Sequence, residues 1–160
     1  MQQLKEKIQF LSKQFLSEII DIRRHLHAHP ELSFEEYNTS KFIADTLRKL
    51  NIPFQDGIVK TGIVALLEGK NPTKNVIALR ADIDALPILE ENKNTYCSTN
   101  KGIMHACGHD VHTASLLGTA KILKELRNEF EGTIKFIFQP GEEKLPGGAS
   151  LIESEGAVLK

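Results

Sequence analysis

Five side chains able to bind a transition metal or move a proton crowd into eight residues of "MHACGHDVHTA": His105, Cys107, His109, Asp110 and His112. Cys and His are the preferred donors for zinc and related transition metals. Gly108 relieves crowding, so Cys107 and His109 can turn toward one point. A helix that follows directly would place its positive end at Cys107 and favour the thiolate. His112 comes three residues after His109, which allows a shared helix face or a place packed beneath the motif. A chance cluster around an inert cysteine does not account for this density.

Two acidic pairs could act with that cluster. In "RADIDALP", Asp82 and Asp84 follow an apolar run, and alternate residues of an extended segment point the same way. Alone, this pair reads as readily as a solvated turn. In "QPGEEKLPGG", Glu142 and Glu143 are adjacent and must point in different directions. One could hold a metal while the other, about one water away, serves as general base. An isolated "EE" is a weak signal; beside a Cys/His cluster and an Asp-x-Asp it becomes a strong one.

A further run, "RRHLHAHPELSFEE", repeats His25, His27 and His29 at every second position. In a helix that spacing turns neighbouring side chains about 200° apart, so His25 and His27 cannot chelate together. A hydrogen-bonded helix end near the site is the expectation. Cys97 has no spaced His or acid partner and reads as a plain free cysteine.

The elements that must position these groups follow from periodicity. Leu4, Ile8, Leu11, Phe15, Ile19, Ile22 and Leu26 form one stripe of a long amphipathic helix ending before Pro30. Ser33 and Glu36 have capping-box spacing and open a second helix that stops at Asn51 and Pro53. Gly62 to Glu68 and Asn75 to Arg80 read as strands, joined by "GKNPTKN" as an irregular hairpin loop. Residues 90–101 read as loop, and a helix runs from Val111 to about Phe130. "TIKFIF" (Thr133 to Phe138) is a strand, Pro140-Gly141 forces a turn, and a short helix spans about Gly148 to Glu155. The alternation predicts a three-layer α/β sandwich: a mixed, mostly parallel sheet with helices on both faces. Sites in such sheets lie beyond the carboxyl ends of the strands, where all three motifs fall.

Composition narrows the partners. Twenty basic residues against twenty-one acidic ones leave a net charge of −1, so no basic excess draws nucleic acid. The longest apolar runs, such as Ile63 to Leu67, are far shorter than the roughly 20 residues that span a bilayer. The first thirty residues lack a signal peptide's apolar block, and two cysteines cannot frame a disulfide scaffold. A cytoplasmic protein is expected, with neither nucleic acid nor membrane as partner.

Four motifs in order, "RRHLHAHPELSFEE", "ALRADIDALPI", "MHACGHDVHTA" and "FQPGEE", resemble the amino-terminal part of bacterial and plant amidohydrolases. That family includes hippurate hydrolase, N-acyl-amino-acid amidohydrolases and auxin-conjugate hydrolases, within the wider aminoacylase and carboxypeptidase group. The resemblance implies a zinc-exopeptidase-like catalytic domain that cleaves N-acyl amino acids or related small amides and peptides. It implies that Cys107 and His109 bind metal with the thiolate bridging two ions, Zn²⁺ or Mn²⁺, and that Glu143 is a further ligand. Glu142 would be the general base acting on a metal-activated water, and Asp84 the orienting acid. Asp82 stands where relatives carry a histidine ligand.

Members are more than twice this long. They carry an inserted lid and dimerisation domain and two further ligand histidines downstream. Residues 1–160 are therefore expected to be the amino-terminal part of the catalytic domain, incomplete and inactive alone, from a protein that forms homo-oligomers at full length. Two other readings remain at this point. One is a hydrolase using Cys107 as nucleophile, which leaves the paired carboxylates without work. The other is a non-catalytic metal-binding fragment.

Overall fold

The computed structural model describes residues 2–156. Its elements run α1 (Gln2–Ala28), α2 (Tyr37–Lys49), β1 (Phe54–Ile58), β2 (Gly62–Glu68), β3 (Val76–Asp82), α3 (His109–Glu125), β4 (Thr133–Gln139) and α4 (Gly148–Ser154). The four strands form one sheet in the order β1-β2-β4-β3.

The sheet is mixed, but two of its three pairings are antiparallel, β1 with β2 and β2 with β4. Only β3 and β4 run parallel, so the expectation of a mostly parallel sheet does not hold among the described residues. Nor do β2 and β3 form a hairpin, because β4 lies between them. Its residues after Thr133 are buried on both faces, and such a strand belongs at the centre of a sheet. Parallel pairing of β3 with β4 then requires a long crossover, which α3 supplies. Strand β1 escapes sequence reading: "FQDGI" shows no apolar alternation, as befits an edge strand whose middle is exposed and irregularly paired.

Alternation sorts the strand side chains into two cores. Ile63, Ala65, Leu67, Ile134, Phe136 and Phe138 meet Ile22 and Leu26 of α1, Ile43 and Leu47 of α2, and Leu117 and Ala120 of α3. Val64 and Ile137 point the other way, onto Ile152 of α4. Three layers with helices on both faces therefore form as expected. Fully burying each such Leu, Ile or Phe contributes about 1.5–3 kcal/mol. Helix α1 crosses α3 closely at Gly118, where a Cβ would come 3.1 Å from Ile19.

Strand β3 has no strand partner on its outer edge among the described residues, and Val76 and Ile77 are 63% and 56% exposed. An apolar open edge is a template for another strand. Concentration-dependent self-association is the expected behaviour in size-exclusion chromatography, reduced by Ile77→Lys, which places a charge on that edge. A monomer at every concentration would contradict this.

Candidate metal centre

Because β3 and β4 are parallel and in register from Val76 opposite Thr133 to Asp82 opposite Gln139, their carboxyl ends open at one place. Beyond β3 lies Asp84; beyond β4 lies the turn from Pro140 to Glu143. The amino end of α3 starts at the same spot with His109, whose cap residue, Gly108, takes the left-handed conformation (φ 98°). Three segments distant in sequence thus deliver Asp82, Asp84, Cys107, His109, Glu142 and Glu143 to one corner of the sheet.

Asp84 organises the centre. Its Oδ1 accepts from His109 Nδ1 at 3.1 Å, and its Oδ2 accepts from the Ser33 hydroxyl at 2.6 Å and from the Glu143 backbone N–H at 3.0 Å. The Asp84 carbonyl is also 3.0 Å from His109 Nδ1. With Nδ1 donating to Asp84, His109 turns a lone pair on Nε2 outward, the state a metal ligand needs. Burial opposes charge on Asp84, but the hydrogen bonds from His109, Ser33 and Glu143 outweigh it and hold the carboxyl below its ordinary value. Burial likewise opposes charge on His109, and the hydrogen bond and charge of Asp84 overcome it, raising the imidazole.

His109 Nε2 lies 3.9 Å from oxygens of both Glu142 and Glu143. That is too long for a hydrogen bond. Donor atoms of Cys107, His109 and Glu143 all lie within 4.8 Å of one another. Ligands of one tetrahedral zinc ion stand roughly 3.4 Å apart, so a small inward shift brings these three onto a common ion. Glu143 closes that group, while Glu142 stays beside it. A second set, Asp82, His109 and His112, has donors within the same span. His112 thus shares the helix face of His109, with ring centroids 5.4 Å apart, and its Nδ1 is 3.5 Å from Asp82 Oδ2. The buried Asp82 Oδ1 has no hydrogen-bond partner. Mutually facing N, S and O donors of this kind fit a divalent cation.

The thiol departs from expectation. Partial desolvation and the Glu143 carboxylate, followed by Glu142 and Asp82, push the Cys107 thiol up rather than down. Cys107 precedes the capping Gly108 rather than occupying the first turn of α3.

The capping box is also not one. Helix α2 begins at Tyr37 without a side-chain cap. Ser33 instead bonds Asp84, and Glu36 is fully buried, accepting from the Thr61 hydroxyl at 2.6 Å and the Gly141 N–H at 2.9 Å. Both residues support the site and were missed, because their spacing matched a commoner local motif. The only available signal was their place within a motif of the resemblance.

The histidine run behaves as a helix end. His27 is buried, with Nδ1 2.7 Å from Asp110 Oδ2 and Nε2 3.1 Å from Glu90 Oε1. Arg23 Nε is 2.9 Å from the same Asp110 oxygen, so α1 is tied to the first turn of α3 beside His109. His25 stacks on Phe42, and His29 Nδ1 bonds the His25 carbonyl at 2.7 Å. His105 is buried with neither ring nitrogen paired, and burial brings its pKa down to about 4, so it packs as a neutral ring. Both cysteines are free.

A parallel corner of two strands thus collects Cys, His and carboxylate donors. Residues 78–160 match the model of peptidase family M20/M25/M40, and the chain belongs to that family. It is 49% identical over 154 residues to the N-acyl-L-amino acid amidohydrolase of Geobacillus stearothermophilus, covering 96% of this chain and 41% of that protein. It is 50% identical over 136 residues to the N-acetyl-L-cysteine deacetylase of Bacillus subtilis, covering 85% of this chain and 32% of the relative. The crystal structure of the Bacillus subtilis YXEP protein, a dinuclear metal binding peptidase from the M20 family, superposes with a TM-score of 0.86 at 47% identity. It covers 91% of this chain and 40% of the other. The chain thus spans about two fifths or less of the length of these relatives. No helix among the described residues is long and apolar enough to cross a membrane.

Proposed function

We propose that the chain carries the metal-binding and proton-transfer half of an amidohydrolase that cleaves the amide bond of N-acyl amino acids or related small amides and peptides. The observation that supports it best is the convergence of Cys107, His109 and Glu143 donors within 4.8 Å, with Glu142 beside them, in a family member. Cys107, His109 and Glu143 would hold a divalent ion, Zn²⁺ or Mn²⁺, with two ions in the complete centre. Such an ion polarises the scissile carbonyl and acidifies water.

The remaining chemistry belongs to the chain itself. Glu142 Oε2 stands 3.9 Å from His109 Nε2, and its side chain is 42% exposed, so it is open to water and substrate. It takes the proton of the attacking water and returns it to the leaving amine. Asp84 keeps His109 in the tautomer that presents Nε2, and the Glu143 amide bonded to Asp84 holds the loop against β3. Residues 1–160 act as the amino-terminal part of the catalytic domain. Substrate walls, a lid domain and homo-oligomer contacts are assigned to the length the relatives add, and the setting is cytoplasmic. The isolated chain is accordingly a metal-binding unit with little hydrolysis of its own.

A Cys107 nucleophile would leave Glu142 and Glu143 without work. Dialysis against a chelator separates the two chemistries in a protein extended to the relatives' length. Hydrolysis of N-acyl amino acids should vanish and return with Zn²⁺ or Mn²⁺. Activity that survives complete metal removal would overturn the proposal.

A further inference from the structure

Glu36 is a carboxylate buried completely, yet it stands outside the donor cluster. Burying such a group is costly unless both oxygens are satisfied, and an apolar residue of similar volume fills a core more cheaply. Both oxygens are engaged by neutral donors: Oε1 accepts from the Gly141 N–H at 2.9 Å, and Oε2 from the Thr61 hydroxyl at 2.6 Å. Gly141 is the residue before Glu142 and two before Glu143.

The neighbours of Glu36 grip the same loop. Phe34 holds a left-handed backbone (φ 66°), which is uncommon for an aromatic residue and persists only where surroundings enforce it. Its ring occupies the space above Gly141, where a Cβ would come 2.3 Å from Phe34 Cε1 and Cζ. Ser33 donates to Asp84 Oδ2, the oxygen that also accepts the Glu143 N–H. One four-residue segment therefore touches the turn after β4 directly at Gly141 and, through Asp84, at Glu143.

We propose that Glu36 is a positioning residue: it pins the Gly141 amide and thereby fixes the backbone from which Glu142 and Glu143 reach the centre. The proposal rests on the reading of Cys107, His109 and Glu143 as metal donors and adds what sets the last of them. Thr61, in the turn between β1 and β2, orients the carboxylate, so β2, α2 and the loop after β4 share one anchor. Gln at position 36 preserves the function, its amide oxygen accepting from Gly141 and its amide N–H donating to the Thr61 oxygen. Ala does not.

The test is Co²⁺ titration of the 160-residue chain, followed by the thiolate-to-cobalt absorption of Cys107 and compared with amide hydrogen exchange at Gly141. Loss of an outer partner of a metal ligand typically weakens binding about 10–100-fold, which is the expectation for Glu36→Ala. Glu36→Gln should stay close to the unsubstituted chain, and exchange at Gly141 should accelerate only in the Ala variant. Should Glu36→Ala fail to fold, Thr61→Val, which removes one of the two hydrogen bonds, should weaken Co²⁺ several-fold. Unchanged Co²⁺ affinity in folded Glu36→Ala or in Thr61→Val overturns the proposal, as does equal weakening by Ala and Gln. If the unsubstituted chain shows no thiolate band, the metal-donor reading fails. Exchange at Gly141 then decides the anchor alone: acceleration in Glu36→Ala supports it, and an unchanged rate overturns it.

Discussion

Glu142→Gln, made in a protein extended to the relatives' length, is expected to lower kcat by about 10²–10⁴-fold while bound metal stays constant. The substitution keeps the shape of the side chain and removes its capacity to accept a proton. Glu142 does not complete the group of Cys107, His109 and Glu143, so the donor set survives the change. Its Oε2 stands 3.9 Å from His109 Nε2, and its side chain is 42% exposed and so open to water. Metal analysis and steady-state kinetics on one preparation check both halves. A near-normal kcat with full metal would remove Glu142 from the chemistry, and a parallel loss of metal would make it a ligand.

Cys107→Ser should weaken divalent metal binding by at least about 100-fold, since losing even an outer partner of a ligand costs about 10–100-fold. A neutral hydroxyl is a much poorer donor to zinc than a thiolate. Cys97→Ser provides the control: the Cys97 thiol contacts the Asn92 carbonyl at 3.1 Å in a loop, and metal content should not change. Metal analysis of the two purified variants distinguishes them, and equal behaviour would contradict the assignment.

The residues at the corner of the sheet were legible because their chemistry is unusual for their neighbourhood. Cys107, His109 and the paired carboxylates each follow a strand or open a helix, and the parallel register of β3 and β4 brings their ends together. What sequence did not reveal depends on long-range pairing. A hairpin between β2 and β3 is the simplest local solution, yet β4, buried on both faces, takes the position between them. Ser33 and Glu36 match a capping box locally, but their acceptor and donors, Asp84, Thr61 and Gly141, lie 25 to 105 residues away in the chain. The Cys107 thiol was misjudged for the same reason: a helix end is visible in sequence, whereas the opposing Glu143 arrives only through folding. His27 was legible, since its helical spacing excluded chelation with His25 and left a buried, hydrogen-bonded role.

Anomalous X-ray diffraction from crystals of this chain grown with Zn²⁺, recorded on both sides of the zinc absorption edge, tests the central claim most directly. An edge-specific peak is expected about 2.0–2.3 Å from Cys107 Sγ, His109 Nε2 and a Glu143 carboxylate oxygen. A peak on other residues alone, or none at this corner with zinc in excess, would contradict it.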